Sequence, residues 1–341
     1  MNILVIKTSS MGDIIHTLPA LTDVEQRFPH AKVDWVVEED FAEIPTWHAN
    51  VDRVIPIALR RWKKTIWRSW RQGEYSRFIK QLRQFHYDYI IDAQGLTKSA
   101  LVARFARGKR FGLSSRSARD PCAFLHYHQH YHISWQQHAV ERIRTLFAQI
   151  LGYTIPSTAP DYGLNLKNCA DIPRQEPYLV FLPGTTWQSK QWPETYWRQL
   201  IAIAVQAGFY VYVNSGNAAE WAYAQRITTG INAAIAMSRH KLGELAMLIA
   251  RATGIVTVDT GLGHLSAALA KPTVSIYGAT AASMTGLYGH HQTHLQADFE
   301  CSPCLQKRCI KQPSMIYPPC YTDLNPEYVW TRLQQQVQQV T

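Results

Sequence analysis

Residues 2–24 read NILVIKTSSMGDIIHTLPALTDV, and the change of period within that stretch decides the fold class. Residues 2–7 form a short run rich in β-branched and aliphatic side chains, and residues 8–12 are a polar loop closing on Gly12. From Ile14 onward the apolar positions Ile15, Leu18, Leu21 and Val24 recur at helical spacing. The stretch predicts a strand, a loop and a helix. Working outward, apolar runs at residues 33–37, 54–57 and 89–91 are separated by stretches long enough for crossovers, which argues for a parallel sheet. The pattern restarts at residues 178–182. It continues through a helix opened by Pro193, strands at 209–213, 254–258 and 273–277, and helices over 242–252 and from Leu262. Residues 155–169, with Pro156, Pro160 and Gly163 and no strong periodicity, are the expected linker. The reading is therefore two α/β halves with a cleft between them, over residues 1–160 and 170–325, followed by a closing helix over 326–341.

Composition bounds the function. The chain has 341 residues, and 18% charged with 11% aromatic residues is too apolar for disorder. A formal net charge of +10 favours anionic partners. The N-terminal run meets Lys7 and Asp13 too early for a signal peptide, so the expectation is an intracellular chain. The longest apolar stretch, residues 200–213, contains Gln206 and Gly208 and is shorter than the ~20 residues of a membrane span, so any membrane association is expected to be peripheral. Six cysteines in such a chain suit thiols or a metal better than a disulfide scaffold.

In an open parallel sheet ligands bind beyond the carboxyl ends of the strands, so the loops that follow the strands carry the chemistry. The first, residues 7–13, has a single glycine. The dinucleotide fingerprint and the P-loop are both absent, which removes support for a dehydrogenase or an NTPase. Asp13 at the start of the helix reads either as a capping carboxylate or as an ionised general base. In the second half, residues 184–190 (GTTWQSK) offer the hydroxyls of Thr185 and Thr186 and the ammonium of Lys190 to a phosphate. Residues 259–264 (DTGLGH: Asp259, Thr260, Gly261, Leu262, Gly263, His264) run from a buried strand into a helix whose N–H groups suit an anion. Ordinary helix capping remains open for each loop alone. A third loop, residues 214–216, is backed by Glu220, which could accept ribose hydroxyls.

Residues 59–72 (LRRWKKTIWRSWRQ) interleave Arg60, Arg61, Lys63, Lys64, Arg68 and Arg71 with Trp62, Trp67 and Trp70. That composition suits an anionic lipid headgroup, single-stranded nucleic acid, or a solvated helix with a Trp stripe turned inward. His126, His128, His130 and His132 alternate, which on one strand would align them as a metal or proton-sensing ladder; with no carboxylate or Cys interleaved, surface histidines next to an anion site are the simpler reading. Cys301, Cys304, Cys309 and Cys320 are spaced C-x2-C-x4-C-x10-C, which offers a tetrahedral zinc, with free thiols as the alternative.

Several motifs carry a family resemblance: KTSSMGDIIHTLPAL (7–21), DWVVEEDFAEIPTWH (34–48), VDRVIPIALRRWKK (51–64), IDAQGLTKSAL (91–101), QQHAVERIR (136–144), TTWQSKQWP (185–193) and VDTGLGHLSAALAKPTVSIYG (258–278). They resemble the bacterial lipopolysaccharide heptosyltransferases of glycosyltransferase family 9, heptosyltransferase I above all, from residue 1 to about residue 289. The resemblance implies a GT-B fold, two Rossmann-like domains facing across a cleft, with residues 1–160 binding the acceptor and 170–325 the ADP-sugar. It implies inverting transfer of L-glycero-D-manno-heptose from ADP-heptose to the Kdo of Kdo-lipid A at the cytoplasmic membrane surface, in inner-core lipopolysaccharide biosynthesis. No cofactor or metal is then required, and nucleic acid is not a partner. Carried over residue by residue, it makes Asp13 the catalytic base. Thr185, Thr186, Lys190, Thr260, Gly261 and Leu262 surround the diphosphate, Asp259 and His264 lie near the donor sugar, and Glu220 meets the ribose. Arg60, Arg61, Lys63, Lys64, Arg119, His138 and Arg142 meet the acidic acceptor. Residues 301–320 look more like cysteine-bearing members of the wider family, which leaves a phosphorylated Kdo or another heptose as alternative acceptors. A basic nucleic-acid-binding protein with a four-cysteine zinc module is the competing class.

Overall fold

The computed structural model describes residues 1–312 and 315–340. The chain divides into two compact units, Met1–Asn165 and Leu166–Thr341. In the first, β1 (Asn2–Ile6), β2 (Lys32–Glu38), β3 (Val51–Ile57), β4 (His86–Asp92), β5 (Arg107–Leu113) and β6 (Gln129–Tyr131) form one sheet in the order β3-β2-β1-β4-β5-β6. Every pairing is parallel. The connecting helices are α1 (Met11–Ile15), α2 (Leu18–Arg27), α3 (Leu59–Lys64), α4 (Ile66–Arg71), α5 (Glu74–Leu82), α6 (Thr97–Phe105) and α7 (Ala139–Leu151).

The second unit repeats the plan. Strands β7 (Tyr178–Leu182), β8 (Tyr210–Val213), β9 (Ala234–Ala236), β10 (Gly254–Val258), β11 (Thr273–Tyr277) and β12 (Gln292–Gln296) take the order β12-β11-β10-β7-β8-β9. Around them lie α8 (Glu194–Gln206), α9 (Ala218–Thr228), α10 (Leu242–Arg251), α11 (Gly261–Ala268), α12 (Ala282–Thr285) and α13 (Pro326–Gln338). The closing helix α13 belongs to this core, with Val329 and Leu333 packed among Phe181, Trp197, Val256 and Ile276.

Both sheets start in the middle, wind to one edge, return beside the first strand and wind to the other. Adjacent loops therefore diverge at two switch points, one between β1 and β4 and one between β7 and β10, and a crevice opens there outside the strand ends. The strands flanking these points are largely buried, as sheets covered on both faces require: β7 and β10, like the neighbouring β11, have no exposed residue, Ile3, Leu4, Val5 and Ile6 are fully enclosed, and β4 exposes only His86 and Asp88 near its start.

One expectation is corrected and two open readings are decided. The helix read through Leu18 and Val24 is two helices, because Pro19 cannot donate to the turn before it and the chain restarts at Thr17. The apolar face survives the break, since Ile14, Ile15, Leu18, Leu21 and Val24 are all buried. The histidine ladder does not form: only residues 129–131 of that run are strand. His128 accepts through Nδ1 from the Arg110 backbone N–H at 2.9 Å, His132 pairs with the Ser117 hydroxyl at 3.1 Å, and His130 packs edge-on to Phe124. Trp62 leaves the cationic run for the core, beside Tyr75 and Phe78. Among the described residues no helix is long and apolar enough to cross a membrane.

Candidate active site

The β1–β4 crevice is built on charge. Lys7 closes β1 with its side chain only 6% exposed, and its ammonium donates to the Ala93 carbonyl at 2.8 Å. The Gln94 side-chain oxygen, from the loop after β4, accepts from the Thr8 and Ser9 backbone N–H groups at 3.0 and 3.2 Å, which ties the two diverging loops together. Asp13, in the first turn of α1, caps that helix and also faces two cations. Its Oδ2 accepts from the backbone N–H and hydroxyl of Ser10 at 3.0 and 2.9 Å, as a cap does. Its Oδ1 lies 3.8 Å from the Lys7 ammonium and 3.4 Å from the Arg119 guanidinium. Burial alone would push this carboxyl up, but Lys7, Arg119 and the Ser10 N–H overcome it and hold Asp13 well below the usual carboxylate range. Burial in turn pulls the Lys7 ammonium down, and Asp13 opposes that pull. Asp13 is thus an anion whenever the protein is folded near neutral pH.

The cations expected around Asp13 fall into two groups. Arg119 touches it directly, and His16 and His138 stack edge-on at 5.5 Å beside it. His138 also caps α7 by accepting from the Val140 N–H. Arg142 donates to the Ser117 carbonyl at 2.8 Å and lies 3.6 Å over the Trp135 ring, while its buried Nε has no hydrogen-bond partner among the described residues. Burial, and after it Arg119, pulls this guanidinium down to about 10, so it stays charged at neutral pH. A buried, incompletely satisfied guanidinium is a ready partner for an acidic group. The α3 group is less available than its composition suggests. Arg61 is bound by Glu39 at 2.9 Å and by Glu74 at 2.8 Å, and Arg60 stands 3.8 Å from Asp40. Lys63 and Lys64 are exposed.

The second crevice gathers the loops after β7, β8, β10 and β11. Lys190, brought in by the turn Gln188–Lys190, pairs with Asp259 at 2.6 Å and lies over the Trp187 ring at 4.5 Å. Asp259 Oδ2 also accepts from the Thr280 hydroxyl at 2.7 Å, and its Oδ1 is 3.8 Å from His264 Nε2. Thr260 precedes the first turn of α11, where Gly261 and Leu262 are half-buried and their N–H groups head the helix. Gly263 is tightly enclosed: a Cβ there would stand 3.0 Å from both Thr257 side-chain tips, inside β10. Glu220 Oε2 accepts from the Gly216 N–H at 2.7 Å, and a Cβ on Gly184 would meet that carboxylate at 3.0 Å, so the loops after β7 and β8 close on one side chain. Buried Asn214 Oδ1 has no partner among the described residues. Thr185 is half-buried and Thr186 exposed on the loop after β7.

The pattern of the family described as glycosyltransferase family 9 (heptosyltransferase) matches residues 75–315. The chain is 49% identical to lipopolysaccharide heptosyltransferase 1 of Pseudomonas aeruginosa over 98% of this chain and 97% of that protein. It is 45% identical to the protein of the same name in Escherichia coli K12, over 88% and 95%. The chain belongs to glycosyltransferase family 9. The solved structure described as E. coli heptosyltransferase WaaC with ADP superposes with a TM-score of 0.85 at 40% identity, covering 98% of this chain and all of that one (100%). A second, with ADP-2-deoxy-2-fluoro heptose, gives 0.80 at 43% identity over 87% and 93%. This family 9 chain is a glycosyltransferase, and its two Rossmann-like units have the GT-B fold.

Two features of the family 9 chain escaped the sequence reading. Lys7, noted only as part of a loop, is the buried cation that fixes the Asp13 charge. Its signal was a lysine directly after a buried parallel strand, a place where an ammonium has to find an anion. Thr280 shares Asp259 with Lys190, and nothing local distinguishes it. The cysteines decide between two readings. Cys301, Cys304, Cys309 and Cys320 line one cavity of about 20 Å³, and burial first, then the three neighbouring sulfurs, pushes the Cys320 thiol up to about 12. Among the described residues no three of His, Cys, Asp or Glu are placed to hold a metal ion, and the four cysteines are free thiols, the alternative to zinc that the spacing left open. The segment instead braces the second crevice: the Lys307 carbonyl accepts from the Ser189 N–H at 3.3 Å.

Proposed function

We propose that this chain transfers L-glycero-D-manno-heptose from ADP-heptose to the Kdo of Kdo-lipid A, with inversion at the anomeric carbon. The observation that carries the reading is the state of Asp13: an anion at a sheet switch point, with Arg119 beside it and Arg142 close by. Such a carboxylate can take a proton from an alcohol, and its cationic surroundings suit an acceptor that is itself acidic. In the proposed step the Kdo hydroxyl gives its proton to Asp13 Oδ1 while its oxygen bonds to the anomeric carbon. The bond from that carbon to the diphosphate breaks on the opposite face, and ADP leaves with the electron pair.

The transition state resembles an oxocarbenium ion, so negative charge grows on the diphosphate. Lys190, Thr185, Thr186 and the α11 N-terminus at Thr260, Gly261 and Leu262 supply the donors that stabilise it there. Asp259 and His264 face the sugar, and Glu220 the ribose. His138, Arg60, Arg61, Lys63 and Lys64 complete the acceptor side. The acceptor is lipid-borne, which places the working enzyme on the cytoplasmic face of the inner membrane as a peripheral protein. Incubation with ADP-heptose and Kdo-lipid A tests the reading by ADP release together with a mass gain of one heptose. Transfer only to a phosphorylated Kdo or a heptosylated acceptor, with none to Kdo-lipid A, overturns it.

A further inference from the structure

The cationic run 59–72 comes apart into two surfaces. In α3, Trp62 is buried and Arg61 is held by Glu39 and Glu74. In α4 the only buried residue is Ser69, and Ile66, Trp67 and Trp70 are 59%, 78% and 67% exposed. Two indole rings and an aliphatic side chain held in water on six residues forgo burial that tryptophan elsewhere in this chain obtains. Arg68 and Arg71 stand exposed among them. Beside Trp70 an open groove of about 1030 Å³ runs along α5, with Tyr75 and Ile79 for its apolar lining and Lys80, Arg83 and Arg107 for its charge. Glu74 is the sole acidic residue between positions 59 and 84, and it already accepts from Arg61 and from the Trp62 indole. No acid in the run is left to neutralise this face.

Exposed indoles beside uncompensated guanidinium and ammonium groups complement the headgroup layer of an anionic bilayer, where rings sit at the interface and cations meet phosphate. Exposed Ile66 favours lipid over a nucleic-acid strand, because an aliphatic side chain gains from acyl chains and offers nothing for a base to stack on. We propose that α4 and the adjoining α5 groove are the surface by which this chain docks on an anionic phospholipid bilayer. Ile66, Trp67 and Trp70 enter to headgroup depth, and Arg68, Arg71 and Lys80 contact phosphates. The inference rests on the reading of a lipid-borne acceptor and assigns membrane contact to α4, leaving α3 to the acceptor itself.

The test is co-sedimentation of the full chain with phosphatidylglycerol/phosphatidylcholine vesicles and with pure phosphatidylcholine vesicles, beside transfer assays with lipid-borne and with lipid-free Kdo acceptors. Wild type is expected to pellet with the anionic vesicles only. W67A/W70A should lower that partition at least tenfold, and R68Q/R71Q by about 25-fold, at about fivefold per lost cation. Both variants should keep wild-type turnover on the lipid-free acceptor. Unchanged vesicle binding in both variants, with transfer intact, overturns the docking surface and leaves the proposed reaction standing. Vesicle binding that depends on these residues, with no transfer to any Kdo acceptor, upholds the surface and overturns the reaction. Salt-sensitive binding of a plain oligonucleotide that the same substitutions abolish, with none to vesicles, assigns the face to nucleic acid instead.

Discussion

Replacing Lys7 by methionine keeps most of the length of a buried, unbranched side chain and removes the charge that faces Asp13. With the ammonium 3.8 Å from Oδ1, Coulomb's law at an effective dielectric of about 20 gives an attraction of about 4 kcal/mol, or about 3 pKa units. The other cation in contact, Arg119, has a side chain 54% exposed and is screened by water, so it replaces little of that. In K7M the burial that now opposes ionisation dominates, and the Asp13 carboxyl should rise past its ordinary value of about 3.9. The assay is kcat/KM for transfer between pH 4 and 8. Wild type should stay flat until it unfolds, because the proposed base, Asp13, is already an anion, whereas K7M should lose activity on the acid side of about pH 5. Superposable profiles would refute the claim that Lys7 sets the charge of the base. Stability follows the same sign. A depressed carboxyl stabilises the fold above the unfolded pKa of about 3.9 and loses that contribution as pH falls toward the folded value, so K7M should lose this margin at neutral pH as well as the Ala93 hydrogen bond.

Asp13→Asn should lower turnover by about 10²–10⁴ and leave ADP affinity nearly unchanged in calorimetry; normal turnover would remove Asp13 as the base. Lys190→Ala should weaken ADP binding by about 10- to 100-fold, the worth of a charge-assisted hydrogen bond, and equal affinity would exclude it as a phosphate ligand. Arg142→Gln should raise the acceptor KM without altering ADP affinity, and matched losses for both ligands would contradict the separation of donor and acceptor contacts. Gly263→Ala drives a methyl into Thr257 and should destabilise the fold by about 1–3 kcal/mol, seen as a lowered Tm of the purified protein.

The buried strands announced themselves. β1, β7, β10 and β11 are short apolar runs bounded by polar loops, and residues near their carboxyl ends supplied Asp13, Lys190 and Asp259. The strands that went unread, β5, β6, β9 and β12, lie at or next to the sheet edges. At the edges themselves a partner on one side only permits sequences such as QHY and QTHLQ, whose polarity hides the pairing, while β5, paired on both sides, carries charged residues in its first half. Residue type showed where cations were concentrated and left open which were engaged. Arg61 and Lys63 look alike in the sequence, yet Glu39 and Glu74 hold the first from distant segments. The Lys7–Asp13 contact was similarly hidden, since it depends on α1 turning back over the end of its own strand.

The Lys190 ammonium already holds the Asp259 carboxylate at 2.6 Å, so a phosphate reaching Lys190 in the role proposed above has a resident anion to compete with. Arrival of a nucleotide is then a displacement, in which the incoming group has to dislodge a carboxylate already at contact distance. A singly charged metabolite holds no advantage over the resident, whereas a diphosphate brings more charge and more acceptors and can evict it. If Lys190 is the phosphate ligand proposed above, the pair favours a diphosphate over a monoanion before sugar or base is inspected.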